Sequence, residues 1–321
     1  MNIKGKIKKY LPDSIIRYYH RISLERKICR HKKEVAKREK MSIFDYYELS
    51  ADMPYVTREK FQNGFYGLDK IIKKYERIDK NTVLDGYIEH GLYYDNSIEP
   101  IEISGNNLWT LGEERREYLG QYMDISKVHS IGPYIIYADD LYSEITLAEM
   151  RKGLGKTLLV FPTHSTHWND TSFDISEFIK EIKRIKEEYA FETVLVSIYW
   201  KDVLRGMAEK YEESGFKVCT SGHIFDDNFM SRQKSIIKLA DMCMGNGIGT
   251  QIGYCIALGK SYYYYPMKIV VRKGIEYDYD LHEDVDYKSK LEKLLEHNFG
   301  TYHEEITKDN ISFIKRYWGD F

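Results

Sequence analysis

The stretch from Phe216 to Pro266 reads "FKVCTSGHIFDDNFMSRQKSIIKLADMCMGNGIGTQIGYCIALGKSYYYYP", and its order of elements decides the fold. It predicts a strand over 216–220, a helix over 232–239, a short strand over 242–244, a glycine-rich turn, a helix over 251–258 and a strand over 262–265. Gly245, Gly247 and Gly249 fall between the short strand and the helix. Such a turn lets backbone N–H groups approach an anion, and the dipole of the following helix favours negative charge there. Thr250 adds a hydroxyl able to cap the helix or to hold a phosphate oxygen.

Working outward, the same alternation continues upstream. An apolar strand over 158–161 ends in Pro162-Thr163-His164-Ser165, and Asp174 opens a helix carrying Ile175, Phe178, Ile179, Ile182 and Ile185 at helical spacing. A strand over 194–199 and a helix over 204–211 follow. Repeated strand–helix alternation predicts a parallel sheet with helices on both faces, and ligands in such sheets bind beyond the carboxyl ends of the strands. Residues 41–150 are less regular. They predict a helix over 57–78, interrupted by Gly64 and Gly67, and a strand over 82–88 ending in Glu89-His90-Gly91. A helix over 109–122 and a strand broken at Gly132-Pro133 complete that half.

The length of 321 residues suits two domains, and 43% hydrophobic with 31% charged residues describes a folded globular chain. The expected class is therefore α/β, with two Rossmann-like domains facing a cleft. An acceptor-side domain spans 41–150 and a nucleotide-binding domain 151–270, with a helical tail over 271–321 packing across them. The net charge of −2 hides an asymmetry. The first 40 residues carry 14 Lys and Arg against 4 Asp and Glu, and subtraction from the totals leaves 34 against 46 in the remainder. A basic arm on an acidic body points to an anionic partner, a membrane surface or nucleic acid. Ile15, Ile16, Tyr19 and Ile22 lie among these charges after the break at Pro12. The pattern fits an interfacial helix, or a solvated basic helix packed on its own body. The expectation is an anionic membrane surface and no nucleic acid. Cys29, Cys219, Cys243 and Cys255 show neither a CxxC pair nor metal-ligand spacing, which points to a reducing compartment. With no secretory apolar region and no apolar run of spanning length, the expected place is cytoplasmic, on the inner face of the membrane.

His90 is the leading candidate for acid–base work, because imidazole titrates near working pH and the residue ends a strand. Glu89 is either the base or an orienting partner, although alternation along a strand keeps the two from one spot. Thr163, His164 and Ser165 are candidate phosphate donors. Gly222 and His223, after Ser221, are candidates for the base and ribose. Asn246, Gly247, Gly249, Thr250 and Gln251 complete the expected donor loop. Arg232 reads as a phosphate contact or a solvated charge. His164 and His167 lie in a loop without a third ligand, and Asp278-Tyr279-Asp280 sits in an acidic run, so neither metal nor cofactor is expected.

Three stretches carry a family resemblance: "IEHGLYYD" at 88–95, "VHSIGPYIIYA" at 128–138 and "LADMCMGNGIGTQIGYCIALGKSYYYYP" at 239–266. Together the chain resembles GT-B type glycosyltransferases of bacterial surface polysaccharides, including the CDP-glycerol glycerophosphotransferase and capsule polysialyltransferase groups. The resemblance implies a catalytic His at His90 and a donor-phosphate turn at Asn246, Gly247, Gly249 and Thr250. The Ser-Gly-Thr of that group is Gly-Ile-Gly-Thr here, and Gln251 and Tyr254 stand where an acidic residue often grips the ribose. The resemblance further implies a nucleotide-sugar donor and a glycan or lipid-linked acceptor of capsule, lipopolysaccharide or teichoic-acid type. A nucleotide-sugar epimerase and a non-catalytic membrane-tethered regulator are the alternatives.

Overall fold

The computed structural model of the protein describes residues 13–166, 169–273 and 285–321. His167, the Asp278-Tyr279-Asp280 run and the first twelve residues of the arm lie outside the described residues. Strands β1 (Tyr87–Ile88), β2 (Leu108–Thr110) and β3 (Val128–Ser130) pair in parallel in that order. The chain continues through β4 (Thr157–Phe161), β5 (Asn169–Ser172), β6 (Thr193–Ser197), β7 (Lys217–Cys219), β8 (Met242–Gly245), β9 (Ser261–Tyr264) and β10 (Val270–Lys273). Five of these form a parallel sheet in the order β7-β6-β4-β8-β9, while β5 and β10 make a separate antiparallel ribbon. All residues of β4, β8 and β9 are buried, as expected for central strands covered on both faces.

The strand order reverses between β4 and β8. The first strand of the sheet lies at its centre, and the chain crosses to the far side of it only after β7. Phe161 pairs with Gly245 across this junction, so the loops after β4 and β8 leave the sheet side by side. That is where an open parallel sheet leaves a crevice.

Residues 41–150 depart from expectation in three elements, one of them the strand over 82–88, which is only Tyr87–Ile88. The helix over 57–78 is only Leu68–Tyr75, preceded by a 3-10 turn at Phe65–Gly67 in which Tyr66 and Gly67 adopt left-handed backbone (φ 59° and 72°). The helix over 109–122 divides into β2 and a helix at Glu113–Leu119. Leu108, Trp109 and Thr110 are all buried, and a three-residue run covered on both faces has no period to distinguish strand from helix. In the larger sheet's half, left-handed Gly206 splits the helix expected over 204–211 into Trp200–Val203 and Met207–Glu212.

Alternation along β4 sorts the core. Leu158 and Val160 pack with Phe178, Ile182 and Tyr211 on one face. Leu159 and Phe161 face a cluster that also holds Ile88 and Trp109 of the smaller sheet, Cys243 and Ile252, and Phe299, Phe313 and Trp318 of the C-terminal helices. One apolar cluster thus joins both sheets. The Lys308–Trp318 helix lies between them: Arg316 bonds Glu114 at 2.8 Å, and the Trp318 indole donates to the Thr250 carbonyl at 3.0 Å.

The arm is helical from Asp13 to Arg38. Its end is fixed to the body, with buried Arg38 donating to the carbonyls of Leu49 and Ala51 and accepting from Arg232 through its own carbonyl. Ile15, Tyr18, Tyr19 and Leu24 stay exposed. Among the described residues no helix is long and apolar enough to cross a membrane.

Candidate functional site

A cavity of about 520 Å3 opens at the β4/β8 junction, a size typical of small-molecule sites. Its wall is drawn from both sheets and from the C-terminal tail. From the loop after β4 come Pro162, Thr163, His164 and Thr166, and after β8 come Gly247, Ile248, Gly249, Thr250 and Gln251. The two loops are tied together, since the Thr163 N–H donates to Asn246 Oδ1 at 2.7 Å. Gly247 is required for this approach: a Cβ there would collide with Thr163 Oγ1. That hydroxyl is sealed from solvent and has no hydrogen-bond partner. Gln251 folds back over Gly249, where a side chain would strike its amide.

Thr250 differs from expectation. It has helical backbone itself and makes no side-chain cap. Its Oγ1 accepts from the Leu92 N–H at 2.9 Å, which fastens the glycine turn to the loop after β1. The neighbouring Gly91 leaves room for that hydroxyl.

His90 lines the cavity from the smaller sheet, stacked on Phe65 at 5.3 Å between ring centroids and flanked by Tyr66 and Tyr87. Burial lowers its pKa to about 4, with a hydrogen bond to the Gln62 backbone acting the other way. The imidazole is therefore neutral at pH 7, and its Nε2 is buried without a partner. Glu89 points elsewhere, as strand alternation requires. It is fully buried, accepting from Arg115 Nε at 2.8 Å and from the Thr110 hydroxyl at 2.5 Å. Its charge is consumed by the arginine, and it does not line the cavity, so the expectation of Glu89 as a base is corrected.

Four further expectations are revised by what the side chains touch. Ser165 is fully buried, its Oγ accepting from Arg205 and the Thr171 N–H, so it braces the loop from inside. Gly222 has left-handed backbone (φ 89°) and lies against Arg232, away from the cavity. His223 packs on Trp200 at 4.1 Å and accepts from the Phe225 N–H, a core position with no face on the cavity. Arg232 is neither a phosphate contact nor a solvated charge: it is fully buried, paired with Asp226 at 3.2 Å. His164 is exposed at the cavity wall, stacked on Tyr199 at 4.3 Å, with Nδ1 bonded to the Ser165 carbonyl.

Several lining residues had no sequence signal. Tyr66 and Tyr199 meet across the two halves through their hydroxyls at 3.2 Å. Thr171, Ile269 and Val271 come from the β5/β10 ribbon and its approach, and Lys288 and Glu292 from the Val285–Phe299 helix. Among the described residues, no group of three His, Cys, Asp or Glu side chains is arranged to hold a metal ion.

No protein-family model and no curated protein matches the chain. Its fold is similar to that of a structure of the wall teichoic acid polymerase TagF soaked with CDPG, at 12% identity over 92% of this chain and 93% of that one, with a TM-score of 0.42. It is also similar to that of an S. aureus MnaA–UDP structure, at 11% identity over 92% and 78% of the two chains, with a TM-score of 0.41. At these values the likeness assigns this chain neither an activity nor a ligand.

Proposed function

We propose that the protein is a metal-independent GT-B type glycosyltransferase that moves a sugar from a nucleotide-activated donor to a hydroxyl of a bacterial surface glycan. The observation that carries this reading is the single cavity wall that brings a neutral His90 imidazole, its Nε2 without a partner, together with the β4/β8 loops. In the reaction the acceptor hydroxyl attacks the anomeric carbon, the new C–O bond forms as the bond to the donor phosphate breaks, and the proton passes to His90 Nε2. Negative charge gathers on the leaving phosphate, where Thr163 and the backbone of the 246–250 loop are the available donors; fixed donors at the site of developing charge are the main source of such stabilisation. Because Nε2 is enclosed by aromatic rings, the acceptor must displace one of them, and Tyr66 with its hydroxyl contact to Tyr199 is the ring that spans the two halves. A negative donor phosphate nearby would raise the His90 pKa back toward the range in which a base works best.

Thermal shift of the full chain with CMP, CDP, UDP, GDP and dTDP tests the donor site and selects its base. A ligand at one hundred times its dissociation constant adds about 2.7 kcal/mol of stability. Stabilisation by none of the five would end the nucleotide reading. Incubation with donor alone separates transfer from epimerisation, since only the latter needs no acceptor.

The arm belongs to the same proposal. Ile15, Tyr18, Tyr19 and Ile22 recur at helical spacing with Arg17 and Arg21 beside them, suiting reversible attachment to an anionic cytoplasmic leaflet at about 1 kcal/mol per basic residue. Sedimentation with anionic vesicles should bring down the full chain but not one beginning at Met41, and the effect should fade with salt. Equal behaviour of the two would remove the membrane from the reading.

A further inference from the structure

Lys288 is the only lysine or arginine among the described residues that line the cavity. The Val285–Phe299 helix that carries it is firmly seated, with Leu291, Leu295 and Phe299 almost wholly buried. Lys288 and Glu292 continue that inner face by helical spacing until it reaches the cavity. The Lys288 ammonium rests 5.2 Å from the centroid of the Tyr94 ring, itself part of the wall. No carboxylate of the described residues forms an ion pair with it, Glu292 one turn on included.

The ammonium is half-buried, has no carboxylate partner among the described residues, and is held by this cation–π contact. The same wall holds the Thr163 hydroxyl, buried without an acceptor, and a neutral His90 that contributes no charge. The wall thus offers an ammonium and a buried hydroxyl without a partner, both able to donate to an anion. An anionic ligand would serve both at once.

We propose that Lys288 is a phosphate-binding residue of this site and contacts a phosphate oxygen of a nucleoside diphosphate, so that the C-terminal helix completes a site otherwise built from strand ends. The inference rests on the nucleotide-donor reading and adds to it a specific cation from outside both sheets. A single flexible ammonium suits a phosphate as a point charge, where bidentate recognition would call for arginine.

Calorimetric titration of the full chain with CDP and UDP, using cytidine and uridine as phosphate-free controls, tests it. The wild type is expected to bind at least one diphosphate far more tightly than its nucleoside. Lys288→Ala should weaken that diphosphate by roughly tenfold to a hundredfold, the worth of a hydrogen bond to a charged group, and leave the nucleoside unchanged. Lys288→Arg should recover much of the loss, and Glu292→Gln should bind as well as wild type or better. Undiminished diphosphate binding by a folded Lys288→Ala variant would overturn the role of Lys288 while leaving the donor site standing. A wild type that binds neither diphosphate would overturn both.

Discussion

The two sides of the cavity treat charge in different ways. Below His90 the smaller sheet buries an ionic cluster: Arg115 pairs with Glu89 at 2.6 Å, and Glu102 stands 3.8 Å from the same guanidinium. Burial and the neighbouring Glu89 push Glu102 up to about 8, well above the usual carboxylate range. Among the described residues the β4/β8 junction of the larger sheet holds no buried ion pair, and the Arg232–Asp226 pair of that half lies away from the cavity. Its loops are joined through the Asn246 amide and lined by glycines and hydroxyls. A buried ion pair adds little net stability, but it is very costly to break, so it serves to hold a geometry. A junction lined by glycines and hydroxyls leaves room for a charge to arrive. One sheet would then hold a reactive group in place and the other would receive an anion.

The largest effect that sharpens this division is on turnover. His90→Ala should lower it by roughly two to four orders of magnitude while nucleotide binding stays near wild type. If binding were lost in parallel, the two sheets would not divide the work. Next comes the ionic cluster. Arg115→Met leaves Glu89 buried without its cation and should cost about 3–5 kcal/mol of stability in urea unfolding. Thr163→Val, in the neutral junction, should cost almost nothing. A small loss for Arg115→Met would mean that the cluster does not hold β1 in place.

A third effect follows from pH. The native chain keeps His90 neutral down to about pH 4, whereas in the unfolded chain imidazole takes its proton near 6.5. The folded pKa is the lower one, so stability is complete above pH 6.5 and falls as pH drops toward 4, by roughly 3 kcal/mol in all. His90→Gln should lose this part of the acid sensitivity, seen as a smaller difference in urea midpoint between pH 7 and pH 4.5. The same shift predicts that kcat/KM has no acid limb near 6.5, because that ratio reports the free enzyme. An inflection near 6.5 would mean that the imidazole is solvated.

The sequence was most legible where elements were long and periodic. The five strands of the larger sheet, the Asp174 cap and the glycine turn at 245–250 lie where apolar runs and breakers indicated. Strand β2 overlaps a stretch whose pattern predicts a helix, because three residues buried on both faces carry no period. The ribbon strand β5, Asn169-Asp170-Thr171-Ser172, has no apolar alternation, and it exists through pairing with a segment a hundred residues later. The site was legible only to the level of strand ends. His90, Thr163, Gly247 and Gly249 do share one cavity, but Ser165, Gly222 and His223, equally close to strand ends, turn inward to Arg205, Arg232 and Trp200. Which way a loop side chain turns depends on partners remote in sequence. Lys288 shows the converse, since only tertiary packing brings it to the cavity.

The smallest predicted effect tests the receptive side of the comparison directly. Thr163 Oγ1 is buried without a hydrogen-bond partner, so replacing it with an isosteric methyl removes an unsatisfied polar atom. Thr163→Val should therefore melt at the same temperature as wild type or slightly higher. With the selected nucleotide it should lose about 1 kcal/mol of affinity, roughly a fivefold weaker dissociation constant, because the hydroxyl would no longer donate to the phosphate. Gly247→Ala at the same contact is the harsher variant, since its Cβ collides with the Thr163 hydroxyl and must part the two loops. Combined with Thr163→Val it would still meet a methyl group, so the pair separates steric opening of the loops from loss of the donor. If Thr163→Val binds nucleotide as tightly as wild type, the phosphate does not lie at the β4/β8 junction, and the larger sheet's neutral loops hold something other than an anion.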